Sequence, residues 1–188
     1  MTPPTAPFSE RLDFWKFQHA SITFVQVKEL CDLLTQQNIE TNHPLHIPLM
    51  VALHALYARP FKQKKAVRLS DDIVPKESKQ THDALIEMRD KIHAHYDFDS
   101  PTTTSLSGLN KVAVFLHGTQ AKFAITPVFP RSKQVQEIGK LAQILASKAF
   151  EQGKLIWSRR LGGVQLTEGS FEVNLSKTDD QFLKPLSW

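Results

Sequence analysis

Residues 81–97 read THDALIEMRDKIHAHYD, and the fold is decided there. Leu85, Met88, Ile92 and Tyr96 follow one another at spacings of three, four and four, one face of a helix with 3.6 residues per turn. Ile86 and Ala94 widen that stripe. No Gly or Pro interrupts it, and Ala, Leu, Glu, Met, Arg and Lys all favour helix. Ser78 or Thr81 can cap its start, and Asp83 suits the positive end of the dipole. Pro101 pushes the residue before it out of the helical region, so the helix is expected to end by Ser100.

Outward from that helix, the upstream neighbour is the most basic segment, Phe61 to Ser70, with Lys62, Lys64, Lys65 and Arg68. It reads as a solvated loop or as a backbone contact for RNA close to the helix. Before it, Ile47 to Arg59 forms a helix that turns Leu49, Met50, Leu53, Leu56 and Tyr57 inward and stops at Pro60. His43 and His46 precede it with no third ligand nearby, so they read as loop or cap residues rather than a metal site. Ser21 to Gln37 is a longer helix, with Ile22, Val25, Leu30, Leu33 and Leu34 as its apolar stripe and Asn38 at its end. Ser9 can open a short helix of its own.

Downstream, Lys111–His117 and Ala121–Phe129 alternate as strands around the turn residues Gly118, Thr119 and Gln120. Ser132 to Arg159 is the longest helix, its buried side traced by Val135, Ile138, Leu141, Leu145, Ala149 and Ile156, with Gly139 and Gly153 as weak points. Gly162 and Gly163 end it. Ser170 to Leu175 reads as one strand, and Phe182, Leu183, Leu186 and Trp188 anchor the end.

The expected architecture is mainly α, a bundle of about four main helices with a β-hairpin inserted between the third and fourth. The 188 residues fit one domain, with 1–8 a flexible N-terminal tail and 164–188 a strand-bearing C-terminal tail. Hydrophobic residues make up 41%, enough for a core. The single cysteine, Cys31, excludes an internal disulfide or a cysteine-based zinc site and reads as core. The start, MTPPTAPFSERL, has no basic and apolar leader pattern, and no stretch approaches the ~20 apolar residues of a membrane span. A cytoplasmic protein with no membrane partner is expected. The formal net charge of +4, from 23 Lys and Arg against 19 Asp and Glu, permits a nucleic-acid partner without requiring one.

The chemistry gathers in the second half of the 81–97 helix. Arg89 and His93 are four apart and share one face, ~40° apart, while His95 lies ~120° from Arg89. A fixed guanidinium forks onto phosphate, and an imidazole moves protons near neutral pH. Arg89-Asp90-Lys91-Ile92-His93-Ala94-His95 resembles the R-(polar)-x(3–5)-H motif of HEPN domains, closest to their abortive-infection and toxin-like branch. Met88-Arg89-Asp90-Lys91, Ala94-His95 and Asp97 fit that form. His93 departs from the apolar residue usual at its place.

The resemblance implies a helical bundle whose motif, contributed by both subunits of a homodimer, is the active centre of a metal-independent RNase. Arg89 would bind phosphate, Asp90 would be the polar motif residue and His95 the catalytic histidine, with His93 the alternative. Lys62, Lys64, Lys65, Arg68 and Lys91 would contact RNA. No cofactor is implied. Phage defence or toxicity is the implied role, with a possible antitoxin partner. Two other readings stand beside it. One is a non-catalytic helical module that dimerises or binds a nucleotide or protein. The other is a metal-dependent hydrolase, disfavoured because two histidines two residues apart splay ~200° on a helix.

Overall fold

The structure, a computed structural model, describes residues 4–40, 42–90, 112–117, 120–125, 132–162 and 169–186. In chain order the elements are α1 (Phe8–Gln36), α2 (His46–Lys62), 3-10 turns at Lys65–Val67, Asp71–Ile73 and Lys76–Ser78, α3 (Lys79–Met88), β1 (Val112–His117), β2 (Gln120–Ile125), α4 (Ser132–Leu161), β3 (Phe171–Val173) and β4 (Leu183–Pro185). The described residues are mainly helical, with a small antiparallel hairpin between α3 and α4 in chain order.

The frame is α1 packed along α4. Ser21 Oγ donates to the Ala146 carbonyl at 3.0 Å, and Gly153 meets the side chain of Gln18, so the two helices run antiparallel. On α4 the expected side is the buried one. Val135, Ile138, Leu141, Leu145, Ala149 and Ile156 are all enclosed, each contributing ~1–3 kcal/mol of burial according to size. Gly139 and Gly153, expected as weak points, lie where α4 faces α1. A Cβ on Gly139 would sit 3.1 Å from Cys31 Cβ, and one on Gly153 would meet the Gln18 amide.

On α1 two expectations are corrected. There is one helix of 29 residues, not a short one followed by another from Ser21, because nothing between Phe8 and Gln36 is Gly or Pro. Its buried side is Ala20, Phe24, Val27, Cys31 and Leu34, whereas Ile22, Val25 and Leu33 are exposed. The helix carries apolar residues on both sides, so periodicity alone does not select the one that meets α4. Cys31 is core, and burial pushes its thiol up to about 12. Asn38 does end the helix, with φ at 48° and Ile39 N–H returning to the Leu34 carbonyl at 2.9 Å.

α2 lays Met50, Leu53, Tyr57 and Phe61 into the same core. It continues through Pro60 to Lys62 rather than stopping at Arg59. A proline near the end of a helix has a helical φ and forfeits one hydrogen bond. Pro60 is buried, and its carbonyl accepts from Leu69 N–H at 2.9 Å.

β1 and β2 pair antiparallel from Val112↔Ile125 to His117↔Gln120, which puts Gln120 in the strand and not in the turn. Lys111 and residues 126–129 of the expected strands lie outside the described residues.

Residues 4–8, expected to be loose, are held against the end of the chain. Thr5 bridges Gln181, Ala6 N–H donates to the Asp180 carbonyl at 2.9 Å, and Phe8 opens α1. The expected strand within 170–175 is β3. It pairs with β4, which the sequence reading missed because three residues ending in Pro185 carry no strand signal. Arg11, buried to 1% exposure, fastens this strap. Its guanidinium donates to the carbonyls of Asn174 (2.7 Å), Ser176 (3.0 Å) and Gln181 (3.1 Å). Arg159 and Arg160, at the end of α4, meet Glu10 on α1. The Arg160 hydrogen bond holds the Glu10 carboxyl below its usual range, against the opposing push of burial.

Candidate functional site

The 3-10 turns after α2 lead the chain back to start α3 two residues ahead of Thr81. His82, Leu85 and Met88 face inward from α3, three residues apart. Arg89 and Asp90 follow in a wider, π-type turn. Lys91, His93 and His95 lie outside the described residues. The structure therefore places two of the motif's residues, Arg89 and Asp90.

Those two meet the basic segment. Asp90 lies between two cations: Lys62 Nζ is 2.6 Å from its Oδ2 and Arg89 Nη1 is 2.8 Å from its Oδ1. Partial burial raises the Asp90 pKa, but the hydrogen bonds and charges of Lys62 and Arg89 outweigh it and hold the carboxyl below its usual range. All three side chains remain about one-third exposed, so each is within reach of a ligand.

Lys62 and Asp90 line a groove of about 880 Å³ between the end of α2, the turns and α3, and Arg89 lies beside it without being part of its lining. Lys62, Lys65 and Arg68 bring positive charge to its lining, and Asp71, Asp83, Glu87 and Asp90 bring negative charge. The lining is thus of mixed sign rather than basic. Lys64 is exposed and is not part of it. The basic segment is the end of α2 followed by a 3-10 turn at Lys65–Val67, rather than a plain loop.

At the groove's inner wall is a histidine the sequence reading did not single out. His82 is 2% exposed, edge-on to Phe61 at 4.6 Å between ring centroids. Its Nδ1 is 3.0 Å from the Tyr57 hydroxyl. Its Nε2 is 3.7 Å from an Asp71 carboxylate oxygen, too far for a direct hydrogen bond. Burial, then the charge of Lys79, lowers the His82 pKa, against Asp71 and Asp83. Burial raises that of Tyr57, with Asp71 and Asp83 adding to it. Both groups are therefore neutral near pH 7. A carboxylate on the Nε2 side favours the proton there, which leaves Nδ1 to accept from Tyr57 O–H. His82 was legible in principle, because it extends the Leu85 and Met88 stripe back by three residues.

His46 and His54 are buried, and His43 accepts from Leu45 N–H at 3.1 Å through Nδ1. Among the described residues no group of three His, Cys, Asp or Glu could hold a metal ion, and no helix is long and apolar enough to cross a membrane. In comparisons with protein-family models, curated proteins and solved structures, the chain matches none.

Proposed function

We propose that this protein is a metal-independent RNA endonuclease of the HEPN type, its four main helices arranged as that family's bundle. The reading rests on the resemblance around Arg89 and on one observation, the ion pair of Lys62 with Asp90 at 2.6 Å. That pair joins the basic segment to the motif. Arg89 binds the scissile phosphate and stabilises the charge that develops on it. His95 moves protons as the ribose 2′-OH attacks the adjacent phosphorus, which forms a 2′,3′-cyclic phosphate and breaks the bond to the 5′-oxygen of the next nucleotide, released as a hydroxyl; His93 is the alternative for that role. Asp90 positions Arg89, and Lys62, Lys64, Lys65, Arg68 and Lys91 contact the RNA backbone. Two copies bring their motifs to one cleft, and the protein acts in the cytoplasm in phage defence or as a toxin held by an antitoxin.

The test is cleavage of total RNA in a chelator, by wild type and by Arg89→Ala, His95→Ala and His93→Ala, with folding verified in each. Wild type should cut. Loss of the catalytic histidine or of Arg89 should slow cleavage by about 10²-fold or more, and the histidine that matters identifies itself. Folded wild type that leaves RNA intact, alone and after removal of any co-purifying protein, would overturn the reading.

The second reading is a non-catalytic binding module. The groove's mixed charge favours it, with Arg89 engaged by Asp90 and more acidic than basic side chains in the lining. Such a groove suits a ligand carrying both signs better than a bare phosphate chain.

A further inference from the structure

α1 and α4 turn one side of their seam into the core, α1 against α2, and expose the other. The exposed side is apolar. Ile22 is 60% exposed, Val25 42% and Leu33 41% on α1, and Phe150 49% and Trp157 38% on α4. Gln26, Gln143 and Ser147 are exposed beside them, and Lys154 is exposed between Phe150 and Trp157. Depletion of charge around exposed aliphatic and aromatic side chains distinguishes an interface core from ordinary surface.

The remaining charges identify the occupant. Ser21 meets Ala146 and Gln18 meets Gly153, so on these antiparallel helices Glu29 lies within about two residues of the level of Lys140, and Ile22 lies about one to five residues short of the level of Phe150. Glu29 and Lys140 are both exposed. A two-fold axis parallel to the helices and midway between them lays α1 of each copy on α4 of the other at the same level. That operation sets Glu29 opposite Lys140 twice over, and brings Ile22 within about a turn of Phe150. The face is complementary to itself, as an isologous contact requires. Ile22 to Leu33 spans about 16 Å along the axis, and Phe150 and Trp157 extend the patch across the neighbouring helix and along it.

We infer that the protein pairs with a second copy through this α1/α4 face, as a four-helix layer. The inference does not rest on the nuclease reading. The groove lies beyond α2, on α3, so pairing here leaves it open. Were both pairings made, four copies would assemble, and each contact can be broken alone.

The measurement is molar mass by sedimentation for the full chain, up to about 100 μM. The variants are Ile22→Glu, Glu29→Lys, Lys140→Glu and the last two combined, with circular dichroism verifying the fold. Ile22 is exposed, so its substitution leaves the core untouched. The expected result is an assembly that Ile22→Glu halves in mass, that each single charge reversal weakens about tenfold, and that the double reversal restores. A wild-type monomer at about 100 μM overturns the inference, and its pelleting with phospholipid vesicles would assign the face to a membrane instead. An assembly indifferent to Ile22→Glu places the contact elsewhere. A double reversal that fails to restore association overturns the two-fold register.

Discussion

The seam between α1 and α4 and the strap over the start of α1 are both buried, by opposite means. In the seam, Ala142, Ala146 and Ala149 meet Ala20, Phe24 and Cys31, and Ser21 adds a single hydroxyl contact to the Ala146 carbonyl. In the strap, a guanidinium is almost fully enclosed and donates to three carbonyls. The difference follows from the backbone. Helices satisfy their own N–H and C=O groups, so their contact can be dry. β3 and β4 are three residues each, too short to satisfy the chain around them. Carbonyls at Asn174, Ser176 and Gln181 are left over, and Arg11 takes them. Phe182, fully buried against Phe14 at 5.2 Å between ring centroids, supplies the apolar half.

The sharpest way to break this contrast is Arg11→Met. The change keeps apolar bulk but leaves the three carbonyls without their donor, which should cost about 3 kcal/mol. Hydrogen exchange should rise first and most in residues 171–186, while amides of α1 and α4 stay protected until global unfolding. Uniform acceleration along the chain would show that strap and seam are one unit, and the comparison would fail.

The two regions were unequally legible in the sequence. On α4 the residues read as the inward side, from Val135 to Ile156, are enclosed, although Ile144, Phe150, Leu155 and Trp157 are exposed elsewhere on the helix. α1 was read only partly right: Leu34 and Cys31 are buried as expected, but Ile22, Val25 and Leu33, which make as good a stripe as Phe24, Val27 and Cys31, are exposed. What decides between them is the partner helix more than a hundred residues away. The strap was hidden for a related reason: Arg11 looks like any surface arginine until the carbonyls around it are known. At the groove, the motif residues Arg89 and Asp90 were singled out, but the ion pair that ties Asp90 to Lys62 is a tertiary contact. The Tyr57–His82 pair needs α2 and α3 packed before it exists.

That pair is a polar link inside an otherwise apolar core, and it sharpens the comparison. Tyr57→Phe removes the hydroxyl that His82 Nδ1 meets and should cost about 1–2 kcal/mol near pH 7.5. The histidine also fixes a pH dependence. Its folded-state pKa is lowered, mainly by burial, so below ~6.5 the unfolded chain binds the proton more readily than the native one. The stabilising effect is complete above that pH and is lost as pH falls. Burial lowers His19 and His46 in the same direction. Denaturant midpoints at pH 7.5 and 5.5 should therefore fall for wild type and fall less for His82→Asn, which keeps an acceptor for Tyr57 but does not titrate. An equal fall in both would remove His82 from the account.

The smallest effects test the seam itself. Gly139 and Gly153 both lie inside α4, where alanine is intrinsically better by ~1 kcal/mol. Their surroundings differ. At Gly139 the new methyl would lie 3.1 Å from Cys31 Cβ, an atom fixed directly to the α1 backbone, so the helices must part to admit it. At Gly153 it would meet the amide end of Gln18, which can rotate toward solvent. Gly139→Ala should therefore destabilise by about 1 kcal/mol and Gly153→Ala should stabilise by about 0.5 kcal/mol, read as shifts of opposite sign in the denaturant midpoint. Opposite signs from one substitution in one helix would show that the seam is limited by how closely the backbones approach. Stabilisation at both sites would mean that the seam gives way locally, and that Gly139 reflects only the helix it belongs to.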